Sequence, residues 1–323
     1  LVQPKGEATL AVNEAHTVAI LAPILSLTVT IEGGRDDGPD EIHIHPGGQG
    51  FWVARMLRHL GERPLLCGPI GGEAGAVIHG LVNKWGIDIS PVDATAGSPA
   101  TVQDRRSGER DLIAEAASPS LARHELDDVY GRFLDHAMTA EVCVIAGQSS
   151  EVLPVETYRR LGHDLSSANV TVVGDLHGRE LEALLGGGPL DLLKVSDEDL
   201  VADGLLEGDD EEEALSALHD LVEMGARNVV LSRASLPAVA ILSGTIYRAK
   251  APPLEPADAR GAGDSMTAGL AAAIIRGLDP EESLRLACGA GAANATRHGL
   301  GSASEDLIPR LAQRVEVEAL APA

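Results

Sequence analysis

The chain has 323 residues, 44% of them hydrophobic and only 2% aromatic, enough to bury a large core that Ala, Val, Leu and Ile must fill, as in a parallel sheet covered by helices. Its formal net charge of −24 argues against nucleic acid or acidic membrane as a partner, although amides, a divalent ion and a few local cations can still hold a nucleoside triphosphate. Cys67, Cys143 and Cys288 are widely spaced in apolar or Gly-rich surroundings and read as buried thiols of a reducing cytoplasm; no bilayer-spanning run and no signal-peptide order is expected.

Residues 1–14 show no periodicity and read as a lead, leaving 15–323 as one folded domain with an attached subdomain. A β-branched run at 17–22 predicts a first strand, and 27–32 with 41–45 alternate around a turn-rich segment at 33–40, which predicts a hairpin. Gly47-Gly48-Gln49-Gly50 opens a helix reaching Leu60, followed by a buried strand at 64–67 and a helix at 73–85. Alternating segments at 87–92, 100–105 and 111–115 have polar alternate positions. With the first hairpin they predict a small β lid built from about 26–46 and 87–115.

From Leu121 onward strands and helices alternate: helix to Met138, strand 141–146, helix 154–166, strand 170–174, helix to Leu185 and strand 190–195. That order is the mark of βαβ crossovers in a parallel sheet. The acidic run 209–213 starts a helix reaching Met224, where its charge favours the N-terminal end of the helix dipole. A strand at 228–232 and short strands around Val239 and Ile246 come next, then helices at 264–276, 280–296 and 304–314.

The chemistry concentrates in Arg260-Gly261-Ala262-Gly263-Asp264, where a Gly-rich turn runs into an Ala-rich helix. Unpaired first-turn amides and the helix dipole make an anion hole suited to the charge on a transferring phosphoryl group. Asp264 beside it can take the proton of an attacking hydroxyl, or can simply cap the helix.

This segment resembles the C-terminal signature of the PfkB, or ribokinase-like, carbohydrate kinases. Pro46-Gly47-Gly48-Gln49-Gly50-Phe51-Trp52, with Leu60-Gly61 and Gly68-Pro69-Ile70-Gly71-Gly72, resembles their N-terminal signature. The spacing from Leu21-Ala22-Pro23-Ile24-Leu25-Ser26 is most similar to the 1-phosphofructokinase and tagatose-6-phosphate kinase branch. The resemblance implies an α/β fold: a ribokinase-like, Rossmann-type core with a mostly parallel sheet flanked by helices, and a β lid. It also implies ATP, Mg²⁺ and phosphorylation of a primary alcohol, and family members often dimerise through the lid. Asp264 would be the base, Gly261, Ala262 and Gly263 would shape the anion hole with it, and Gly47-Gly48 would touch the sugar.

Departures from the family pattern cluster at the acceptor end. Ser26 stands where the branch has Asp, Gln49 and Trp52 replace Lys and Asn, and Val102 replaces an Arg that meets the substrate phosphate. Losing cations at Gln49 and Val102 weakens phosphate recognition, which predicts an acceptor other than fructose 1-phosphate or tagatose 6-phosphate. Trp52 narrows the pocket, stacks on an apolar face, or packs in the core.

On the nucleotide side Lys194 is retained, Ser196 replaces Asn, and Asp199 replaces the acidic residue that organises Mg²⁺ through water. Ser232-Arg233-Ala234 lacks the usual phosphate-side glycine; Arg233 offers a compensating charge or lies on the surface. Asn294, in a small-residue helix, lines the adenine pocket in this reading, against the alternative of tight helix packing. His43 and His45 alternate on one strand and face the same side, as a metal pair or as lid histidines.

The reading is an ATP-dependent sugar or sugar-like kinase; the alternative is a ribokinase-fold binding or regulatory protein with degraded activity, motivated by those departures. A dinucleotide oxidoreductase is disfavoured, because the early Gly-rich turn follows a hairpin instead of opening the first βαβ unit.

Overall fold

A computed structural model describes residues 16–34, 38–117, 120–147, 151–297, 300–304 and 306–323; the expected lead at 1–14 and the tip of the first turn lie outside them. The chain begins with β1 (Val18–Leu21), the hairpin β2 (Ser26–Glu32) and β3 (Glu41–Gly47), then α1 (Gln49–His59), β4 (Pro64–Ile70), α2 (Gly72–Lys84) and β5 (Asp88–Asp93). A second hairpin, β6 (Ala100–Asp104) and β7 (Asp111–Ala116), precedes α3 (Arg123–Ala137), β8 (Val142–Ala146), α4 (Val155–Ser167), β9 (Val172–Asp175), α5 (Gly178–Gly187) and β10 (Leu192–Ser196). The remainder is α6 (Asp197–Ala202), α7 (Glu211–Glu223), β11 (Val229–Ser232), β12 (Ala238–Leu242), β13 (Thr245–Lys250), α8 (Ala262–Ile275), α9 (Pro280–Ala295), α10 (Leu307–Ala312) and β14 (Glu316–Pro322).

Among the described residues two sheets result: a ten-stranded one ordered β14-β13-β12-β11-β10-β9-β8-β1-β4-β5, and a four-stranded lid ordered β3-β2-β6-β7. From β5 to β11 every pair is parallel, and β12 to β14 continue antiparallel. Strand alternation splits the core between the two faces of the large sheet. Val18 and Ile20 pack with α1, α2, α8, α9 and α10 through residues such as Phe51, Ile78, Leu270, Leu284 and Ile308. Ala19 and Leu21 pack with α3, α4, α5 and α7 through Phe133, Tyr158, Leu184 and Leu218. With so few aromatic residues, the layers close on small side chains: a methyl group added at Gly269 would lie 2.7 Å from the Cα of Ala287, and one at Gly291 would lie 2.9 Å from Met266 Cγ.

Because β1 pairs with β4 on one side and β8 on the other, the order of the parallel strands reverses there. Ligands of open α/β sheets bind outside the carboxyl ends of strands at such a point. The carboxyl ends of β8, β9 and β10 lie on that edge, and the lid hairpins leave from it.

Three expectations change. β5 pairs in parallel with β4 at the edge of the large sheet and is not a lid strand; an edge strand is half exposed, so its alternation imitates a lid. The short α6 was not expected, although its Ser196 and Asp199 form a reciprocal capping box. β14 was missed as well, being an exposed edge strand with a Pro near its end. Among the described residues no helix is long and apolar enough to cross a membrane, and all three cysteines are buried and unpaired.

In the turn joining β11 to β12, Ala234 has φ +40°, a left-handed conformation that disfavours a Cβ by roughly 1–2 kcal/mol, partly offset by the unfolded-state freedom of glycine. Ala234→Gly is therefore expected to raise the unfolding free energy in urea by about 0.5–1 kcal/mol. A variant less stable than the parent would contradict the reading of that turn.

Candidate active site

α8 starts from Gly261, which is left-handed at φ +71° and so presents the next amides outward. The Ala262 amide donates to Ala259 O at 3.3 Å, whereas among the described residues the amides of Gly263 and Asp264 donate to no backbone carbonyl. Asn294 holds this turn from behind: its Nδ2 donates to Arg260 O at 2.7 Å, and its Oδ1 accepts from Ser302 N at 3.4 Å.

Asp264 is 7% exposed, and its Oδ1 is buried with no hydrogen-bond partner. Burial, followed by the charge of Asp175, pushes its pKa up to about 8, against the opposing pull of Lys194 and of its own amide; Asp199 adds to the rise. The carboxyl therefore has the proton affinity of a general base working near neutrality, in contrast to that of a surface aspartate.

Two neighbouring strand ends build the floor. Lys194, on β10, is 4% exposed and lies 3.4 Å from Asp175 Oδ1 at the end of β9. Burial alone would lower the ammonium pKa, but Asp175, Asp264 and Asp199 outweigh it and the pKa is raised, so Lys194 stays charged. Its Nζ would sit 2.6 Å from a Cβ at position 263, so glycine there lets the ammonium lie against the turn, and a larger residue would push it away. Thr267 Oγ1, one turn along α8, donates to Asp175 Oδ2 at 2.6 Å.

The candidate acceptor corner lies where the first hairpin meets α1. A Cβ on Gly47 would fall 2.7 Å from Ser26 Oγ, 3.5 Å from Thr28 Oγ1 and 3.8 Å from Trp52, which places these groups together. Leu300 and Gly301 connect this corner to the catalytic turn. A Cβ on Gly301 would lie 2.5 Å from Trp52 O, and one on Gly261 would lie 3.3 Å from Leu300 Cβ, while Arg55 Nη1 donates to Leu300 O at 2.8 Å.

The pfkB family carbohydrate kinase model matches residues 26–307. The chain belongs to that family. It is 28% identical over 284 residues to the 1-phosphofructokinase of Bacillus subtilis, covering 85% of this chain and 89% of that protein. It is 28% identical over 271 residues to an ATP-dependent 6-phosphofructokinase isozyme 2 of Mycobacterium tuberculosis, covering 82% of this chain and 78% of that one. The fold matches phosphofructokinase-2 from Escherichia coli with a TM-score of 0.83 at 23% identity, over 93% of this chain and 99% of the other. The chain is thus an ATP-dependent sugar kinase, a phosphotransferase with a sugar hydroxyl as acceptor.

Within this pfkB kinase the structure brings together Gly261, Ala262, Gly263, Asp264 and Lys194 on one side, and Ser26, Gly47, Gly48 and Trp52 on the other. Gln49 is exposed beside Gly147, at the end of β8. Ser232 ends β11 with its Oγ 3.3 Å from Val195 O. Asp199 Oδ2 accepts from Ser196 Oγ at 2.6 Å and Ser196 N at 3.0 Å, which leaves Oδ1 3.6 Å from His177 Nε2.

Three residues have other surroundings than expected. Val102 pairs with Val29, whereas Thr101 bonds Thr28, so Val102 points to the lid face opposite Ser26 and away from the acceptor corner. Arg233 is 4% exposed and binds Asp209 O and Glu211, so it is neither on the surface nor free for phosphate. Asn294 is fully buried and supports the catalytic turn instead of opening an adenine pocket. The small residues of its helix serve packing. His43 pairs with Glu41 at 3.3 Å, and among the described residues no group of three metal-ligating side chains forms.

Sequence reasoning missed Asp175, Thr267 and the pair Arg110–Asp258. Asp175 had a signal, a charged residue ending an apolar strand; the other two depend on contacts across 92 and 148 residues. Arg110, between β6 and β7, donates to Asp258 Oδ2 at 2.7 Å, and Arg260 binds the same carboxylate. The lid is thereby tied to the segment preceding the catalytic turn.

The raised pKa of Asp264 has a consequence for stability. An unfolded aspartate titrates near 4, so between about pH 4 and 8 the folded chain binds more protons at this position, and its stability falls as pH rises through that window. Asp264→Asn is expected to melt at a higher temperature than the parent, by a margin that grows from pH 4 and levels off above about 8. A margin independent of pH would contradict this.

Proposed function

We propose that this kinase transfers the γ-phosphoryl group of ATP to a primary hydroxyl of a sugar or sugar-like polyol, with Asp264 as general base. The carrying observation is the buried, unpartnered Oδ1 of Asp264 beside the amides of Gly263 and Asp264, which donate to no backbone carbonyl among the described residues. ATP supplies the electrophilic phosphorus. Asp264 takes the alcohol proton, the amides of Gly263 and Asp264 stabilise negative charge in front of them, and Lys194 adds a fixed positive charge at the same turn.

Three carboxylates, Asp175, Asp199 and Asp264, face one buried ammonium here, and a polyphosphate beside them calls for a divalent cation. That supports Mg²⁺ bound with the nucleotide and organised by Asp199 through water. Ser196 orients that carboxylate. Ser232 and the left-handed Ala234 border the nucleotide side in this reading.

At the acceptor corner Ser26, Thr28, Gly47 and Trp52 offer hydroxyls and a ring edge, and Arg110 of the lid is committed to Asp258. Such a corner suits sugar hydroxyls better than a terminal phosphate. The acceptor proposed is therefore neither fructose 1-phosphate nor tagatose 6-phosphate. The outer lid face exposes Ile42 and Ile44, 66% and 51% accessible, next to Val29 and Val102, which supports a homodimer formed through the lid. Three buried, unpaired thiols support a cytoplasmic setting.

A screen of sugars, nucleosides and sugar phosphates for ADP release tests the reading. It should find an unphosphorylated polyol as the best acceptor, with Asp264→Asn lowering kcat by about 10²–10⁴-fold. Efficient turnover of fructose 1-phosphate or tagatose 6-phosphate would overturn the acceptor class; an undiminished Asp264→Asn would overturn the base.

A further inference from the structure

Asp175 has a place in the site that the transfer chemistry above does not use. It is 4% exposed, it ends β9, and each of its two oxygens serves a different element. Oδ1 lies 3.4 Å from Lys194 Nζ on β10. Oδ2 accepts a 2.6 Å bond from Thr267 on α8, and the same hydroxyl lies 3.2 Å from Gly263 O. One carboxylate thus connects two strand ends of the sheet to the first turn of the helix that carries the base.

From this geometry we propose that Asp175 is a positioning residue for phosphoryl transfer, fixing Lys194 and the first turn of α8 relative to each other so that ammonium, anion-hole amides and Asp264 stay in register. The inference rests on the kinase reading of Asp264 and deepens it. Without the bridge, Lys194 keeps its charge through Asp264 and Asp199 but loses the contact that holds it off the base, and the first turn of α8 loses the hydrogen bond that ties it to the end of β9. The charge of Asp175 also faces Asp264, together with Lys194 from β10 and Asp199 from α6. The bridge therefore sets the alignment of the base and contributes to its proton affinity.

A positioning role makes a split prediction. Asp175→Asn keeps the shape and can still accept from Thr267, but removes a negative charge beside Lys194. ATP affinity by calorimetry should hold or tighten, kcat should fall about 10- to 100-fold, and the acid limb of kcat/KM should move to lower pH, because the base loses a like-charged neighbour. Thr267→Val leaves the charge in place and cuts only the bridge, so kcat should fall with the acid limb unmoved, and Thr267→Ser should recover the parental rate.

A merely structural role would instead lower ATP affinity and melting temperature together and leave the acid limb where it is. That outcome, or a parental kcat in both Asp175→Asn and Thr267→Val, overturns the proposal. Failure of the underlying reading looks different: the parent and Asp264→Asn would then be equally inactive with every acceptor. An active parent with an inactive Asp264→Asn and an unaffected Asp175→Asn would defeat this inference alone.

Discussion

A carboxylate buried at a helix start without a partner for one of its oxygens is the constraint around which this molecule is arranged. An unpaired buried polar atom is costly, and several elements converge to hold Asp264 in this position. The left-handed Gly261 sets the helix origin, Asn294 clamps the turn from α9, and the ends of β9 and β10 supply Asp175 and Lys194 beneath it. The charge balance is deliberately incomplete: two neighbouring carboxylates raise the proton affinity of Asp264, and one ammonium opposes them only in part. Stability is given up at the position where the proposed reaction takes the proton of the acceptor hydroxyl, a common pattern at functional sites.

The lid belongs to the same arrangement. One of its faces carries Ser26, Thr28 and Gly47 toward the acceptor corner, and the other exposes isoleucines. The Arg110–Asp258 pair reaches from a lid turn to the segment entering the catalytic turn. Lid position and anion-hole geometry therefore share a carboxylate, which Arg260 also binds.

Much of this was readable in the sequence, because strand and helix periodicities differ and because the two glycine-rich motifs have few local alternatives. β1, the first hairpin, the alternation after Leu121 and the helix at Asp264 all follow from pattern alone. β5 did not: an edge strand of the large sheet and a lid strand have the same half-buried alternation, and only the pairing with β4 distinguishes them. Arg233 and Asn294 show the limit for single side chains. The resemblance led us to expect each on the nucleotide side, yet burial turns Arg233 toward Asp209 O and Glu211, and Asn294 toward the backbone of the turn. Asp175 lies 89 residues from Asp264 in the chain, and its importance arises only when the sheet aligns β9 with β10 under α8.

The central claim is that burial and the neighbouring carboxylates leave Asp264 with a proton affinity far above that of an ordinary aspartate before any ligand arrives. Carbon-13 NMR of the aspartate carboxyl carbons in the ligand-free protein, with the Asp264 resonance assigned by its absence from the asparagine variant, measures this directly. Burial and the charge of Asp175 predict a titration midpoint near 8; a midpoint near 4, the ordinary aspartate value, would contradict that raised proton affinity.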